Sequence, residues 1–394
     1  MKKFNYEATK APDFFQENRV MPHSDHTFVF GDGSDARYSL NGPWYFHYAE
    51  NYGKTVPDFY EARVDCRTWD TIPVPSHLQL EGYGKPQYLN TQYAWDGSEA
   101  LLPSQVPEKF NPVGSHVKYF TLPDSFRGKR VYVSFQGAES ALAVWLNGSY
   151  VGYGEDGFTP SEFELTELLQ PRENKLAVQV FQYTSASWCE DQDFFRFSGL
   201  FREVYLYATP EVHIRDLKVT SVLNDDFTRG EVCLAMDTEG SGTVHCKLLG
   251  GDTVEAEGTA VLGEKVSLPV DRPRLWSAEY PNLYRLEITV RNEAGEPTER
   301  ISQAVGLRRF EIRGGILELN GKRIVLRGVN RHEFSAVHGR CVTVEETEQD
   351  LITMKKNNIN AIRTSHYPNQ SFFYRLCDEY GIYVLDSRFI SSST

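Results

Sequence analysis

Three apolar runs near the end of the chain are each followed by polar residues that could act on a substrate. These residues are Asn330, Arg331, His332 and Glu333, then Arg363, Ser365 and His366, and finally Asp386. If the runs are neighbouring parallel strands, their carboxyl ends meet on one face, so His332, Arg363 and His366 could line one pocket. Imidazole and guanidinium groups hydrogen-bond to hydroxyls and carboxylates. Taken alone, the pattern leaves a structural and a functional role equally open.

The elements that would carry these residues alternate between strand and helix. Lys322–Asn330 reads as a buried strand, and the segments beginning at Ile359 and Ile382 read as two more strands. Between them, Thr343 and Glu346 form a capping-box pattern that begins a helix, and Gly381 stands at the C-cap of a second helix. A closed eight-stranded barrel needs about 200 residues or more. Residues 314–394 therefore predict the first three β/α units of an incomplete TIM barrel.

The rest of the chain predicts a mostly β, multidomain protein. Residues 38–210 alternate short β-type runs with turns, which favours a jelly-roll domain, and Asn147-Gly148 is typical of a two-residue hairpin turn. Residues 211–313 contain strands spaced as in an immunoglobulin-like β-sandwich, without the Cys…Trp…Cys pattern of antibody domains. Residues 1–37 are polar and irregular, and we expect them to form an N-terminal arm.

Composition excludes several classes of partner. The formal charge of -13 argues against nucleic acid and anionic membranes, because both select for basic surfaces. No signal peptide and no apolar run of about 18 residues is recognisable, so the sequence predicts a cytoplasmic protein. Six cysteines show no metal-like spacing: Cys66, Cys189, Cys233, Cys246, Cys341 and Cys377. Cys233 and Cys246 could lie on neighbouring strands as a pair, but we expect free thiols. The many aromatic residues suit β-sandwich cores, and such rings also stack on sugars.

Several long motifs follow one another along nearly the whole chain. One runs from Asn360 to Leu385 and begins NAIRTSHYP. The others are RGVNRHEFSAVHG, LWSAEYPNLY, EDQDFFRFSGLFREVYL, NGSYVGYGEDGFTPSEF and HSDH. Together these motifs resemble the second family of glycoside hydrolases, which includes the β-galactosidases, and the N-terminal ones resemble β-galactosidases more than the β-glucuronidase or β-mannosidase branches.

The resemblance implies roles for five residues. Asn90 and Asp193 match residues that reach from the jelly roll into the barrel mouth and contact the galactosyl unit, and Asp193 also matches a Na⁺ ligand. His332 and His366 match histidines that hydrogen-bond to galactosyl hydroxyls and favour the transition state. Arg363 matches an arginine that orients the nucleophilic carboxylate through a charge-assisted pair. The implied substrate is a terminal β-D-galactoside such as lactose.

The chain departs from the family pattern after the third predicted strand. The family continues as DEANIETHG and binds Mg²⁺ there, whereas this sequence reads DSRFISSST, with Asp386 retained and Ser391 and Ser393 at ligand positions. Because serine is a poor Mg²⁺ ligand beside a carboxylate, the Mg²⁺ site is expected to be lost. The intact family uses Mg²⁺ and Na⁺, and we expect neither to be bound firmly by this chain.

The catalytic carboxyl groups are also missing from the predicted barrel strands. A retaining glycosidase needs a nucleophile and an acid/base about 5–5.5 Å apart. In the family both lie on later strands, and the acids at strand ends here, Glu333 and Asp386, match neither.

Three hypotheses follow. The chain is the N-terminal part of a retaining β-galactosidase, truncated within its barrel and inactive alone. Alternatively, it is a galactoside-binding or complementing module that binds sugar weakly and assembles with a second polypeptide or with itself. As a third alternative, it has no function and is disordered after about Arg313.

Overall fold

The computed structural model describes residues 3–24, 26–190 and 193–387. Strands dominate this part of the chain, and it contains two α-helices. Five short 3-10 turns are also present: Tyr6–Lys10, Tyr52–Lys54, Asp124–Phe126, Thr166–Leu168 and Ser185–Trp188. The predicted mostly β architecture is confirmed.

The jelly-roll domain is built from two main sheets around one core. Its strands are β1 (Gln16–Glu17), β3 (Arg37–Ser39), β4 (Gly42–Ala49), β5 (Asp70–Val74), β6 (Gln87–Leu89), β7 (Val113–Thr121), β8 (Arg130–Phe135), β9 (Ala138–Glu139), β10 (Ala141–Leu146), β11 (Ser149–Gly154), β12 (Ser161–Glu164), β13 (Glu173–Phe181), β14 (Phe194–Arg196), β15 (Gly199–Leu200) and β16 (Val204–Thr209), with β2 (Thr27–Phe30) preceding β3. The large sheet has the order β1-β11-β10-β13-β7-β4-β5, and the second sheet has the order β12-β8-β16-β3. Two further ribbons pair β14 with β6 and β15 with β9.

Local sequence explains the hairpin between β10 and β11. Asn147 and Gly148 adopt positive φ angles of 53° and 88°, as a type I′ turn requires, and Leu146 pairs with Ser149 on either side. The predicted hairpin is therefore confirmed. Apolar side chains from both main sheets, such as Val144 and Val133, enter one buried cluster.

The second domain is a β-sandwich of the predicted immunoglobulin-like kind. Its strands are β17 (His213–Leu223), β18 (Arg229–Glu239), β19 (Gly242–Gly250), β20 (Thr253–Val261), β21 (Val266–Asp271), β22 (Tyr284–Asn292) and β23 (Pro297–Val305). One sheet has the order β17-β18-β21, and the other has the order β2-β23-β22-β19-β20. Strand β2 comes from the predicted arm, where Phe28 pairs with Ile301. Part of the arm therefore belongs to this sheet.

The third segment begins with an antiparallel sheet and continues as a parallel one. Its elements are β24 (Phe310–Arg313), β25 (Ile316–Leu319), β26 (Lys322–Arg323), β27 (Gly328–Arg331), α1 (Val344–Lys356), β28 (Ala361–Thr364), α2 (Ser371–Tyr380) and β29 (Tyr383–Leu385). Strands β27, β28 and β29 pair in parallel, in that order. The predicted succession of three parallel strands separated by two helices is confirmed, although the first strand has other bounds than predicted.

Helix α1 begins and helix α2 ends at the predicted capping residues. The Thr343 hydroxyl accepts a hydrogen bond from the Glu346 amide, and the Glu346 carboxylate accepts one from the Thr343 amide. Gly381 ends α2 with a φ of 70°. Leu351, Ile362 and Phe373 belong to a small buried core of this segment, which argues against the hypothesis of disorder after Arg313.

The prediction of one buried strand over Lys322–Asn330 was wrong. Lys322 and Arg323 pair antiparallel with β25, whereas the chain from Gly328 pairs in parallel with β28. The intervening Val325 is 58% exposed. An apolar run alone does not show which partner strand it meets, and here two partners divide it.

Within the described residues, no helix is long and apolar enough to cross a membrane.

Candidate functional site

A two-stranded ribbon of the jelly roll carries the first two predicted site residues. In the β6–β14 pair, Tyr88 lies opposite Phe195 and Leu89 lies opposite Phe194. Continuing this antiparallel register by one residue sets Asn90 opposite Asp193, on the same face as Tyr88 and Phe195. Both Asn90 and Asp193 are exposed, and the Tyr88 hydroxyl donates a hydrogen bond to the Asp193 carboxylate.

The two predicted histidines follow neighbouring parallel strands. His332 comes directly after β27, and His366 comes two residues after β28. Since Arg331 pairs with Thr364, the strands end level with each other. The two imidazole rings lie 5.5 Å apart between centroids and are nearly perpendicular, at 89°. The parallel topology thus brings His332 and His366 together, as the strand pattern predicted.

Electrostatics link the histidines to the jelly roll and to Arg363. Burial lowers the pKa of His332, the charge of His366 lowers it further, and Asp193 acts in the opposite direction. Burial and then the Arg363 guanidinium lower the pKa of His366, and Asp193 again opposes the shift. Asp193 is therefore within electrostatic reach of both imidazoles. At neutral pH each ring is uncharged and offers one donor and one acceptor.

A buried ion pair fixes the loop that carries His332. Glu333 is fully buried, and its carboxylate lies 2.8 Å from the guanidinium of Arg202, whose side chain is 3% exposed. The same carboxylate accepts a hydrogen bond from the backbone amide of Gln370 at 2.9 Å. Arg202 also donates to the carbonyl oxygens of Phe158 and Pro368, at 2.8 and 2.7 Å. The pair joins the jelly roll to the barrel segment beside the candidate site.

A second buried ion pair lies under the ribbon. Arg340, from the barrel segment, pairs with Glu139 of the jelly roll and donates to the carbonyl oxygen of Phe195 at 2.9 Å. Its backbone amide donates to His77 Nε2 at 3.0 Å. The guanidinium is surrounded by aromatic rings, those of Phe158, Phe194, Phe197, Phe201 and Tyr367. Arg340 therefore attaches the ribbon to the loop that follows β27.

Sequence reasoning missed Arg202, Arg340 and Glu139. Arg202 lies inside the motif EDQDFFRFSGLFREVYL and Arg340 directly follows RGVNRHEFSAVHG, but neither motif indicates a partner for its arginine. Arg202 and Glu333 are 131 positions apart, so nothing in the local sequence identifies them as partners.

The two acids at the predicted strand ends, Glu333 and Asp386, are both hydrogen-bonded by neighbouring groups of the protein. The Glu333 carboxylate is held by Arg202 and the Gln370 amide. Asp386 accepts hydrogen bonds from the hydroxyls of Thr364 and Tyr374, at 3.0 and 2.8 Å. Both carboxylates thus have structural partners.

The expected loss of the Mg²⁺ site stays a prediction. Ser391 and Ser393, which stand at the family's ligand positions, lie outside the described residues. Across residues 3–24, 26–190 and 193–387, no group of three or more His, Cys, Asp or Glu side chains could hold a metal ion. The Na⁺ role of Asp193 stays a prediction. All six cysteines lie in the described part of the chain and are free.

Comparisons with solved structures show the same fold. The chain is similar to a β-glucuronidase from Ruminococcus gnavus in complex with D-glucaro 1,5-lactone, with a TM-score of 0.73, 23% identity and coverage of 94% of this chain and 60% of that one. It is also similar to a β-glycosidase from Bacteroides vulgatus, with a TM-score of 0.74, 24% identity and coverage of 89% and 44%.

Curated relatives are more similar in sequence. A β-galactosidase from Halalkalibacterium halodurans is 48% identical over 94% of this chain and 38% of the relative, and one from Streptococcus thermophilus is 47% identical over 95% and 38%. A β-galactosidase large subunit from Lactobacillus acidophilus is 40% identical over 95% of this chain and 64% of the relative. The chain thus spans between 38% and 64% of the length of these relatives.

Three domain profiles of one family match the chain in succession. The sugar binding domain of glycosyl hydrolases family 2 matches residues 38–210, the profile named glycosyl hydrolases family 2 matches residues 212–308, and the TIM barrel domain of that family matches residues 310–393. Together with the relatives and the fold, these matches show that the chain belongs to glycosyl hydrolase family 2.

Proposed function

We propose that this chain is the N-terminal, galactosyl-recognising part of a retaining β-galactosidase. The observation that carries the proposal is the approach of the His332 and His366 rings, 5.5 Å apart at the ends of two parallel strands, with Asp193 of the jelly roll within electrostatic reach of both. Relatives named β-galactosidase, at 44–48% identity, support galactose as the recognised sugar.

The chemistry of the cluster suits a sugar with several hydroxyl groups. Asp193 accepts hydrogen bonds, Asn90 donates and accepts them, and the neutral imidazoles of His332 and His366 do both. A site that pairs each hydroxyl discriminates strongly, because a sugar that lacks one leaves a buried polar group without a partner. Arg363, whose charge lowers the pKa of His366, would orient a carboxylate brought close to it.

Bond cleavage needs groups that we do not assign to this chain. Hydrolysis with retention requires two carboxyl groups about 5–5.5 Å apart. Glu333 and Asp386 are engaged by Arg202, Thr364 and Tyr374. We therefore propose that the chain binds a galactoside but does not hydrolyse it unaided.

Two measurements on the purified chain test the proposal. With a chromogenic β-galactoside and Mg²⁺, we expect no turnover above background, and measurable turnover would contradict the missing carboxyl pair. By NMR titration, we expect methyl β-D-galactoside to bind with a dissociation constant on the order of millimolar. A His366→Ala variant should abolish this binding, whereas His245→Ala, on the partly exposed β19 surface, should not. Equal loss in both variants, or no binding by the parent chain, would refute the site.

A second candidate function is that of a complementing subunit. Relatives named β-galactosidase large subunit, at 39–40% identity, favour it, since that name implies a separate small subunit in those proteins. Co-expression with a polypeptide carrying the unmatched remainder of the H. halodurans relative should then yield a stable complex with β-galactosidase activity. Absence of both the complex and the activity would count against this function.

A further inference from the structure

A crevice of about 190 Å³ lies between the jelly roll and the second β-sandwich. We call it the interdomain crevice. Its walls are residues of the N-terminal arm, of β8, β12 and β16 in the jelly roll, and of β17, β18 and β23 in the sandwich. A cavity of about 150 Å³ holds a benzene molecule, so the crevice has room for a ligand of roughly six non-hydrogen atoms. None of its described lining residues belongs to the proposed galactosyl site.

Glu299 lines the crevice with a buried carboxyl group that lacks a counter-charge. The residue is 2% exposed, and its Oε2 accepts a hydrogen bond from the backbone amide of Ile214 at 2.9 Å. Among the described residues, this carboxyl group has no further hydrogen bond and no ion pair. Burial raises the pKa of Glu299 to about 7, and the Ile214 hydrogen bond acts in the opposite direction. A buried carboxylate of this kind is destabilised unless a positive group reaches it.

Glu162, a buried acid of the jelly roll, has the partners that Glu299 lacks. Its carboxylate lies 2.8 Å from His23 Nδ1 and accepts hydrogen bonds from the hydroxyls of Ser134 and Tyr207, both at 2.8 Å. Although burial acts to raise the pKa of Glu162, the interactions with His23 and the two hydroxyls outweigh it and lower the pKa. Glu162 is therefore satisfied within the protein, whereas Glu299 keeps hydrogen-bonding capacity that a donor in the crevice can use.

The two arginines at the rim of the crevice are already paired with acids. Arg130 donates to both carboxylate oxygens of Glu164, each at 3.2 Å, and also lies 3.8 Å from Glu239. Arg215 pairs with Asp237. These three acids outnumber the two arginines, so the rim has no excess positive charge to neutralise the buried carboxylate. A cation entering the crevice is attracted by both the rim and the base.

His213 adds a hydrogen-bond acceptor to the lining of the crevice. Its Nδ1 donates to the carbonyl oxygen of Pro210 at 2.8 Å, and the residue is 5% exposed. Burial lowers the pKa of His213, so the ring is neutral at pH 7 and its Nε2 is an acceptor. The polar groups at the base of the crevice therefore suit a ligand that carries several N–H donors and a positive charge.

We propose that the interdomain crevice binds a small primary ammonium ion, with the nitrogen at Glu299 and the carbon chain against Phe28 and Ile214. The ammonium group has three N–H donors and supplies the counter-charge that a water molecule in the same place does not. Phe28 and Ile214, both buried, give the crevice an apolar wall for the chain of such an ion.

NMR titration of the full chain with n-butylammonium chloride and with 1-butanol, at constant ionic strength, tests the proposal. The two probes have the same size and differ in charge. At pH 8, we expect n-butylammonium to bind at least about ten-fold more tightly, the effect of one charge-assisted hydrogen bond. Glu299→Gln keeps an acceptor for the Ile214 amide and should reduce this preference to less than about two-fold. Glu257→Gln is the matched control, because Glu257 is an acid of the same sheet whose side chain is 59% exposed.

The pH dependence of binding identifies the group that holds the cation. Protons and n-butylammonium compete for the Glu299 carboxylate, so the affinity should fall about ten-fold between pH 8 and pH 6. Glu299→Gln should lose this dependence. Its loss separates Glu299 from the other titratable groups of the crevice, which are His23, His26, His213, Glu164, Glu239, Tyr132 and Tyr207.

Every other outcome counts against the ammonium site. Equal binding of the two probes, or a preference that survives in Glu299→Gln, would overturn the proposal. An equal loss in Glu257→Gln would show general attraction to the acidic surface, and the inference would be wrong. Absence of n-butylammonium binding at about 0.1 M would mean that the crevice holds water alone, which also overturns it. The comparison of the two probes in the parent chain decides the matter even if Glu299→Gln does not fold.

Discussion

The buried pair between Arg202 and Glu333 gives the sharpest prediction about the assembly of the site. Replacing Glu333 with alanine leaves the Arg202 guanidinium buried, 3% exposed, without its counter-charge. It also removes the carboxylate that accepts a hydrogen bond from the backbone amide of Gln370, at the start of α2. Breaking a buried ion pair from one side costs about 3–5 kcal/mol, because the remaining charge is not solvated. The two carbonyl acceptors left to Arg202 argue for the lower end of this range.

The stability lost in Glu333→Ala should appear as local opening of the barrel segment. Glu333→Ala should accelerate amide hydrogen exchange in α1 and α2 by roughly 100-fold, since about 1.4 kcal/mol corresponds to a factor of ten. Hydrogen-exchange mass spectrometry of peptides from 344–380 measures it. A double variant, Arg202→Met with Glu333→Leu, should recover much of the protection, because an apolar pair requires no desolvation of charge.

Asp271→Ala is the matched control for this experiment. Its partner Arg229 is 80% exposed, the two groups are 3.7 Å apart and the aspartate is 90% exposed. Exposed pairs contribute little to stability, so exchange should not change. If Glu333→Ala exchanges no faster than this control, the buried pair does not hold the barrel segment and the reasoning is refuted.

Three further predictions concern stability. Burial raises the pKa of Glu299 to about 7, so the folded state binds this proton more tightly than the unfolded state. The contribution of this group to stability is therefore complete below about pH 4.5 and is lost as the pH rises to about 7, by up to about 3 kcal/mol. Thermal unfolding between pH 5 and pH 8 should show this fall, and Glu299→Gln should reduce it. Gly381→Ala should destabilise the chain in urea unfolding by more than about 1 kcal/mol. A Cβ there would lie 2.5 Å from the Ala278 carbonyl oxygen at a φ of 70°, whereas Gly314→Ala, at a φ of 57° with open space around it, should cost less. Thr343→Ala should cost about 1 kcal/mol by loss of the N-cap, and circular dichroism melting measures it.

Local sequence predicted those features whose interactions span only a few residues. The Asn147-Gly148 turn, the Thr343 capping box and the Gly381 helix end all depend on backbone angles and hydrogen bonds within five positions. Such features have the same physical cause in any surroundings.

The strand pattern predicted only part of the candidate site, and the family resemblance supplied the rest. The strand pattern alone placed His332 and His366 on one face, since parallel strands end together. The inclusion of Asn90 and Asp193 came from the family resemblance, and their position beside each other follows from the β6–β14 register.

The sequence by itself determined the order of the elements and their caps and turns. Only the tertiary structure decided that Thr27–Phe30 joins the second sandwich, that Lys322–Asn330 divides between two sheets, and that Arg202 meets Glu333. The reason is that caps and turns are satisfied within a few residues. Strand edges and buried charges, by contrast, take whichever partner the folded chain brings to them, however distant in sequence.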